Sequence, residues 1–305
     1  MFKKRGIALL LAAIMVFSLA ACGTGKGKTD EKEPIKIATK SMTEQYILGE
    51  MLKALIEAKT DYKAEVTKGI QGGTSNIQPA MEKGEFDLYP EYTSSGWVLV
   101  LKHEKCSISD EEMLAALQKE YTEQFDMTWV GLYGFNNTYT LVCRKDIADR
   151  YHLKTTSDMA AVSDQLIFGA NPDYIERADG YGILKDTYGL NFKDVKDIDI
   201  GLKYQAMDNG DIDVTNGYTT DAQLSQDDVV ALEDDKNLQV NYFCSTVVRN
   251  EALKEYEGLE EVLLLMDGLI SDKEMASMNY EVEVEGKDEA QVAKAFLESK
   301  GLLGE

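Results

Sequence analysis

The chain has 305 residues, 44% of them hydrophobic and 28% charged, which is ordinary globular material, and its formal net charge is −22. That charge opposes binding to nucleic acid or to anionic lipid headgroups, whose recognition uses basic patches. It is compatible with a cationic ligand, although surface acidity more often reflects solubility alone.

Lys3, Lys4 and Arg5 precede an apolar run over 7–21. The run is shorter than the roughly 20 apolar residues of a membrane-spanning helix, so 1–21 reads as a signal peptide. It ends in Leu19-Ala20-Ala21-Cys22, which resembles the lipobox of bacterial lipoproteins and implies cleavage before Cys22 and a lipid on its thiol. Residues 22–34, rich in Gly, Lys and acidic side chains, then read as a flexible tether. The roughly 270 residues that follow suffice for two modest domains. Cys106, Cys143 and Cys244 form neither a disulfide framework nor a zinc pattern. Cys143 and Cys244 lie in apolar, strand-like runs and are expected as buried thiols, with one bridged pair left open.

The first lobe opens with an alternating strand over 34–40, PIKIATK. A helix follows, with Ile47, Leu48, Met51, Leu52, Leu55 and Ile56 at helical spacing and Thr43 as its N-cap. Residues 62–67 predict a second strand and 69–73 a glycine-rich turn; Thr74-Ser75-Asn76 then caps a helix running to Lys83. Strand, helix, strand, helix is the pattern of a parallel sheet with crossover helices. Residues 138–143 read as a strand that crosses into a second lobe. There, strands are expected at 166–170 and 229–232, and a helix with its lead-in at 173–188. The run 241–248 carries the chain back, and the remainder from Glu251 is helical in pattern. The expected division is thus 35–136 plus 245–305 for lobe one and 137–244 for lobe two, as a hinged binder requires.

An internal repeat carries more information. Residues 81–93, MEKGEFDLYPEYT, align without a gap to 207–219, MDNGDIDVTNGYT, with Met, Gly, Asp, Tyr and Thr identical. Each copy ends a helix, turns at Gly84 or Gly210, and enters a short strand that exits at Tyr-Thr. Open α/β sheets bind ligands just beyond the carboxyl ends of their strands. Two such ends facing each other would form a cleft between lobes lined by tyrosine.

Four of the sixteen tyrosines stand where the chain crosses or lines that cleft: Tyr92, Tyr139, Tyr218 and Tyr242. A trimethylammonium group cannot donate hydrogen bonds and is best held by aromatic faces, each contributing roughly 0.5–2 kcal/mol. Packing is the alternative use of any single ring. Glu91 and Asp221 either complement the cation or cap a loop. The segment 69–76 is either a tight turn or an anion-binding helix start for a ligand carboxylate, and it lacks the ending of a nucleotide loop. Arg177 and Arg249 are candidates to pair with such a carboxylate, with the opposite lobe, or with surface acids. His103 and His152 are the only histidines and form no catalytic pattern, so neither an enzyme nor a cofactor or metal is expected.

The stretches 40–48 (KSMTEQYIL), 87–95 (DLYPEYTSS), 136–139 (NNTY), 177–180 (RADG), 199–206 (DIGLKYQA), 217–221 (GYTTD), 232–236 (LEDDK) and 247–249 (VVR) occur in one order. In these the chain resembles the substrate-binding subunits of ABC importers for glycine betaine, carnitine, choline and related quaternary amines. The resemblance implies an α/β, two-lobe type II periplasmic-binding fold with its ligand cleft between the lobes. It implies an aromatic cage of Tyr92, Tyr139, Tyr218 and Tyr242, with Thr43, Thr74, Glu91, Ser95, Arg177 and Asp221 as further ligand-binding residues. It also implies an ABC permease as partner. Ser94-Ser95-Gly96-Trp97 departs from the family's usual Tyr-Thr-Gly-Thr context and bears on which amine fits. The runs GFNNTY, FGA and that around Cys244 are similar to the family's ergothioneine-binding subset. The competing functions are the same fold with an amino acid or other small solute, and an extracytoplasmic hydrolase.

Overall fold

The computed structural model describes residues 32–104, 109–176, 180–199 and 201–304. The expected signal peptide, Cys22 and most of the tether, together with Cys106 and Arg177, lie outside these residues. From Pro34 onward the chain is one compact unit built on two sheets.

The chain first lays down β1 (Ile35–Lys40), β2 (Ala64–Ile70), β3 (Leu88–Tyr92) and β4 (Met127–Val130). It then crosses over and forms β5 (Tyr139–Arg144), β6 (Ile167–Ala170), β7 (Asp194–Asp197), β8 (Val214–Tyr218) and β9 (Val229–Ala231). Finally β10 (Cys244–Arg249) returns to the first sheet. The sheet orders are β2-β1-β3-β10-β4 and β7-β6-β8-β5-β9. Position by position the two match: three parallel strands, then one antiparallel strand, then a fifth that runs with the first three. The sheets are therefore mixed rather than purely parallel, because the strand entering each lobe from the other runs against its neighbours.

The repeat read from the sequence lies at equivalent places in the two sheets. Gly84 and Gly210 turn at φ 73° and 74°, a left-handed conformation that costs other residues about 1–2 kcal/mol. Asp87 and Asp213 then tie their strands to both neighbours. One carboxylate oxygen accepts from the N–H of Lys36 or Ile167 in the parallel neighbour, at 2.8 and 2.9 Å. The other meets Arg249 or Arg144 at the end of the antiparallel neighbour, at 2.9 and 3.6 Å. Arg249 is therefore an anchor of the first sheet and pairs with Asp87 and Glu251, not with the opposite lobe. At the other end of each pairing, Tyr92 lies opposite Cys244 and Tyr218 opposite Tyr139. Cys244 thus occupies in lobe one the place that Tyr139 holds in lobe two.

The helix Thr43–Lys59 buries Ile47, Leu48, Met51, Leu52, Leu55 and Ile56, the stripe expected from their spacing. Each such side chain contributes about 1.5–3 kcal/mol on burial, and together they fix the helix N-terminus at the junction between the sheets. Two expected caps differ. Met42 and Gly73 precede the helices Thr43–Lys59 and Thr74–Glu82, and neither cap bonds through a side chain. Thr43 and Thr74 are instead the first helical residues, which frees the Thr74 hydroxyl for a longer-range bond. The helical reading over 173–188 resolves into Pro172–Glu176 and Tyr181–Tyr188. Both chain crossings are knitted together: Asn136 bridges Phe243, the Asn137 N–H donates to Tyr242 O at 3.2 Å, and the Thr138 hydroxyl donates to Val240 O at 2.7 Å. Cys143 and Cys244 are free, buried thiols in different sheets.

The two anchoring acids differ in how deeply they are buried, Asp87 more than Asp213. Asp87→Ala leaves a backbone N–H unpaired and Arg249 with only the exposed Glu251, and should cost about 3 kcal/mol. Asp213→Ala, in the more open pair, should cost about 1–2 kcal/mol. Denaturant unfolding of both variants checks the order; equal losses would show that burial does not set the strength of these anchors.

Candidate functional site

A cavity of about 120 Å³ lies at the junction of the lobes. Thr43, Glu44 and Asn279 line it from lobe one, Tyr218, Thr220 and Asp221 from lobe two, and Asn137 from the crossing segment. It is smaller than the roughly 300–1,000 Å³ of pockets for drug-sized ligands and suits a small solute.

On the lobe-two side, the strand pairing that sets Tyr218 opposite Tyr139 brings their rings to 4.7 Å, 28° from parallel. The Tyr218 hydroxyl donates to that of Tyr139 at 3.0 Å. Tyr174, a residue the sequence reading did not single out, adds a third ring 5.3 Å from Tyr139. Such ring pairs contribute about 0.5–1.5 kcal/mol beyond their burial and fix the ring planes. Asp221 accepts from Lys203 Nζ at 2.8 Å, Tyr204 Oη at 2.6 Å and the Tyr218 N–H at 3.2 Å. Its carboxylate therefore holds the turn after β8 in place while lining the cavity. Burial, reinforced by Asp221, pushes the Tyr204 hydroxyl far above its ordinary pKa and keeps it a donor.

On the lobe-one side, Glu91 is fully buried and turned back into its own lobe. It pairs with Lys40, accepts the Thr74 hydroxyl at 2.7 Å and takes the Tyr92 N–H at 2.6 Å. The Lys40 ammonium stands 4.7 Å from the centroid of Tyr92, and that of Lys203 stands 5.8 Å from the centroid of Tyr218. In each lobe, then, a strand-end tyrosine already has a lysine as a cation–π neighbour, and that lysine is neutralised by a carboxylate.

Glu44 joins the two sides. It is 2% exposed, and its Oε1 accepts from the hydroxyl of Tyr92 and from Asn137 Nδ2, the latter at 3.0 Å. Thr220 and Asn279 approach the same carboxyl from lobe two and from the helix Asp272–Glu283. Asn279 Nδ2 also donates to Thr220 O at 2.9 Å, so the lobes touch here. Glu44 Oε2 has no hydrogen-bond partner among the described residues. Burial raises the Glu44 pKa above the ordinary carboxylate value, and its polar neighbours Tyr92, Asn137, Thr220 and Asn279 pull partly against it. Burial, followed by the charge of Glu44, pushes Tyr92 well up. Burial also drives Cys244 well above the ordinary thiol value and Cys143 to about 12, so both stay protonated and unreactive. A signal for Glu44 did exist in the sequence, since it falls on the apolar stripe of its helix, one and two turns before Leu48 and Met51.

Of the cage tyrosines, Tyr218 lines the cavity, Tyr139 stacks on it, and Tyr92 reaches it through Glu44. Tyr242 adjoins it through the backbone, its N–H donating to Asn136 Oδ1 at 2.7 Å, while its ring packs against the lobe-one core. Thr43 lines the cavity, and Thr74 is committed to Glu91. Ser95 is half-buried in the helical turn Thr93–Ser95 beyond β3.

Residues 33–299 match the family described as the substrate binding domain of ABC-type glycine betaine transport systems. The chain belongs to that family. It is 41% identical over 272 residues to the ergothioneine transport permease/ergothioneine binding protein EgtU of Helicobacter pylori, covering 89% of this chain. The chain spans only 48% of that relative's length. It is 35% identical to the carnitine transport binding protein OpuCC of Listeria monocytogenes, over 97% of each chain. A crystal structure of a glycine betaine/carnitine/choline ABC transporter superposes with a TM-score of 0.83 at 33% identity, covering 88% of this chain and 99% of that one. The two-lobe α/β fold and a role in binding rather than catalysis follow from this membership.

The raised pKa of Glu44 has a measurable consequence. Unfolded, Glu44 titrates as an ordinary carboxylate; folded, it keeps its proton to higher pH. Its contribution to stability is therefore complete below the ordinary value and is lost as pH rises through the raised one. Melting temperatures of the wild type and Glu44→Gln, followed from acid toward neutral pH, should diverge, with the wild type falling relative to the variant. Parallel profiles would contradict a raised Glu44.

Proposed function

We propose that the chain captures a quaternary-ammonium compound of the glycine betaine, carnitine, choline or ergothioneine class outside the cytoplasm and delivers it to an ABC permease. The observation that carries this reading is the position of Tyr218. It is stacked on Tyr139 and lines, opposite Glu44, a cavity to which Tyr92 is hydrogen-bonded through that same carboxyl. A trimethylammonium group gains nothing from hydrogen-bond acceptors as a donor. It is sorted by aromatic faces and by negative charge in a water-poor space, where each face contributes about 2 kcal/mol or more.

The residues cooperate as follows in this reading. Tyr218 and Tyr139 form one wall, pre-set by strand register. Tyr92 stands behind Glu44 on the opposing side, with Tyr242 beside the crossing strands. Asp221 orders the turn that carries Tyr218, and Glu44 supplies negative charge where the lobes meet. Closing the lobes excludes water and completes the cage; opening them at the permease releases the cargo. The lipid expected on Cys22 keeps the binding protein near the permease, with 22–34 as its leash.

Supporting this reading beyond the geometry are relatives whose names specify carnitine and ergothioneine binding. The test is a thermal-shift screen with quaternary amines and, in parallel, amino acids that present a primary ammonium. A quaternary amine at about 100 times its Kd should stabilise the fold by roughly 2.7 kcal/mol. Tyr218→Ala should lose most of that shift while melting on its own as a folded protein. A shift with amino acids and none with quaternary amines would overturn the assignment. For the anchor, Cys22→Ala expressed in a bacterial host should leave the membrane fraction; retention there would remove the lipid from this picture.

A further inference from the structure

The six buried side-chain atoms without a hydrogen-bond partner among the described residues include Glu44 Oε2 and Asn279 Oδ1. Glu44 and Asn279 both line the cavity beside Tyr218. A buried acceptor left unpaired is costly, and the cost is recovered when a donor arrives. The Glu44 carboxyl is already divided. Oε1 is occupied by Tyr92 and Asn137, while Oε2 waits. The charged residues lining the cavity are Glu44, Asp221 and Glu283, with no lysine or arginine among its described lining residues. Such walls favour a cation and a hydrogen-bond donor.

We infer that Glu44 reads the part of the ligand beyond its quaternary ammonium: it accepts a hydrogen bond from an O–H or N–H group, so that the chain prefers quaternary-ammonium compounds that carry such a donor near the cation. This rests on the reading that the cavity takes a quaternary ammonium. Glu44 is then a specificity-determining residue, distinct from the aromatic walls that every trimethylammonium compound would share. A hydroxyl, as in choline, and a ring N–H, as in the imidazole-thione of ergothioneine, offer the same chemistry. Glycine betaine offers neither. The selectivity arises because a ligand without the donor leaves Oε2 buried and unpaired, a penalty that aromatic contacts do not offset.

Matched ligand pairs test this without depending on any variant: choline against its methyl ether, and ergothioneine against its ring N-methylated derivative, by calorimetric titration of the wild-type protein. In at least one pair the donor-bearing member should bind roughly 10- to 100-fold more tightly. The pair that shows the difference identifies whether the source is a hydroxyl or a ring N–H. In Glu44→Gln the amide oxygen retains Tyr92 and Asn137, but an NH₂ group replaces the waiting acceptor. The preference should then shrink to within about threefold, whatever the loss of negative charge does to all cations alike. Equal affinities within both pairs in the wild type would overturn the inference, as would a preference that survives in Glu44→Gln. Glycine betaine binding that is lost in Tyr218→Ala, alongside equal affinities within both pairs, would leave the cage standing and remove only the role of Glu44. No binding of any of these compounds would remove both.

Discussion

The structure depends on one pairing made twice: an inner strand bearing the repeat lies antiparallel to a strand that crosses between lobes. β3 pairs with β10 and β8 with β5. At one end of each pairing an aspartate locks the strand to both neighbours through an arginine and a backbone N–H. At the other end stand the residues that face the junction. Because side chains alternate across a strand, register leaves no freedom about which ones these are. A slip by one residue would replace Tyr218 with Gly217 or Thr219 at the same place. The strand ladder is thus what converts a chain crossing into a site.

The two lobes use this scheme with different content. Lobe two puts Tyr139 opposite Tyr218 and backs it with Tyr174, so three rings stand together beside Thr220 and Asp221. Lobe one puts Cys244 opposite Tyr92 and supplies Glu44 from the start of an adjacent helix. The result is a junction with a ring-bearing side, where Asp221 is tied to Lys203, and a side whose carboxyl, Glu44, has no cationic partner. An evenly aromatic cage would sort ligands by the ammonium alone. An asymmetric one can also distinguish what is attached to it.

Carboxylates divide into two kinds here, and burial alone does not separate them. Glu91 is the more deeply buried, yet Lys40, Thr74 and a backbone N–H satisfy it, which makes it part of the framework. Asp221 does the same with Lys203 and Tyr204. Glu44 has a neutral set of partners and an oxygen to spare, and burial raises its pKa. Whether a buried acid is structural or receptive is decided by its counter-ion.

Patterns of short range were legible in the sequence itself. The period of the helix Thr43–Lys59, the paired Gly-x-x-Asp turns, the alternation of β1 and the tyrosines at the ends of β3 and β8 all follow from residues near one another in the chain. β7, with the polar sequence DVKD at a sheet edge, and the four-residue β4 carried too little pattern to be seen, because an edge or very short strand buries too few side chains to impose one. The use of Arg249 stayed open in the sequence for a related reason: its partner Asp87 is 162 residues away, and charge alone does not say which distant acid it meets. Only the tertiary structure could free Thr74 for Glu91, seat Lys40 and Lys203 beside their rings, and set Glu44 between Tyr92, Asn137 and Asn279. Those contacts join segments far apart in the chain, and the energy that selects them comes from burying charge and finding it partners, which no local spacing records.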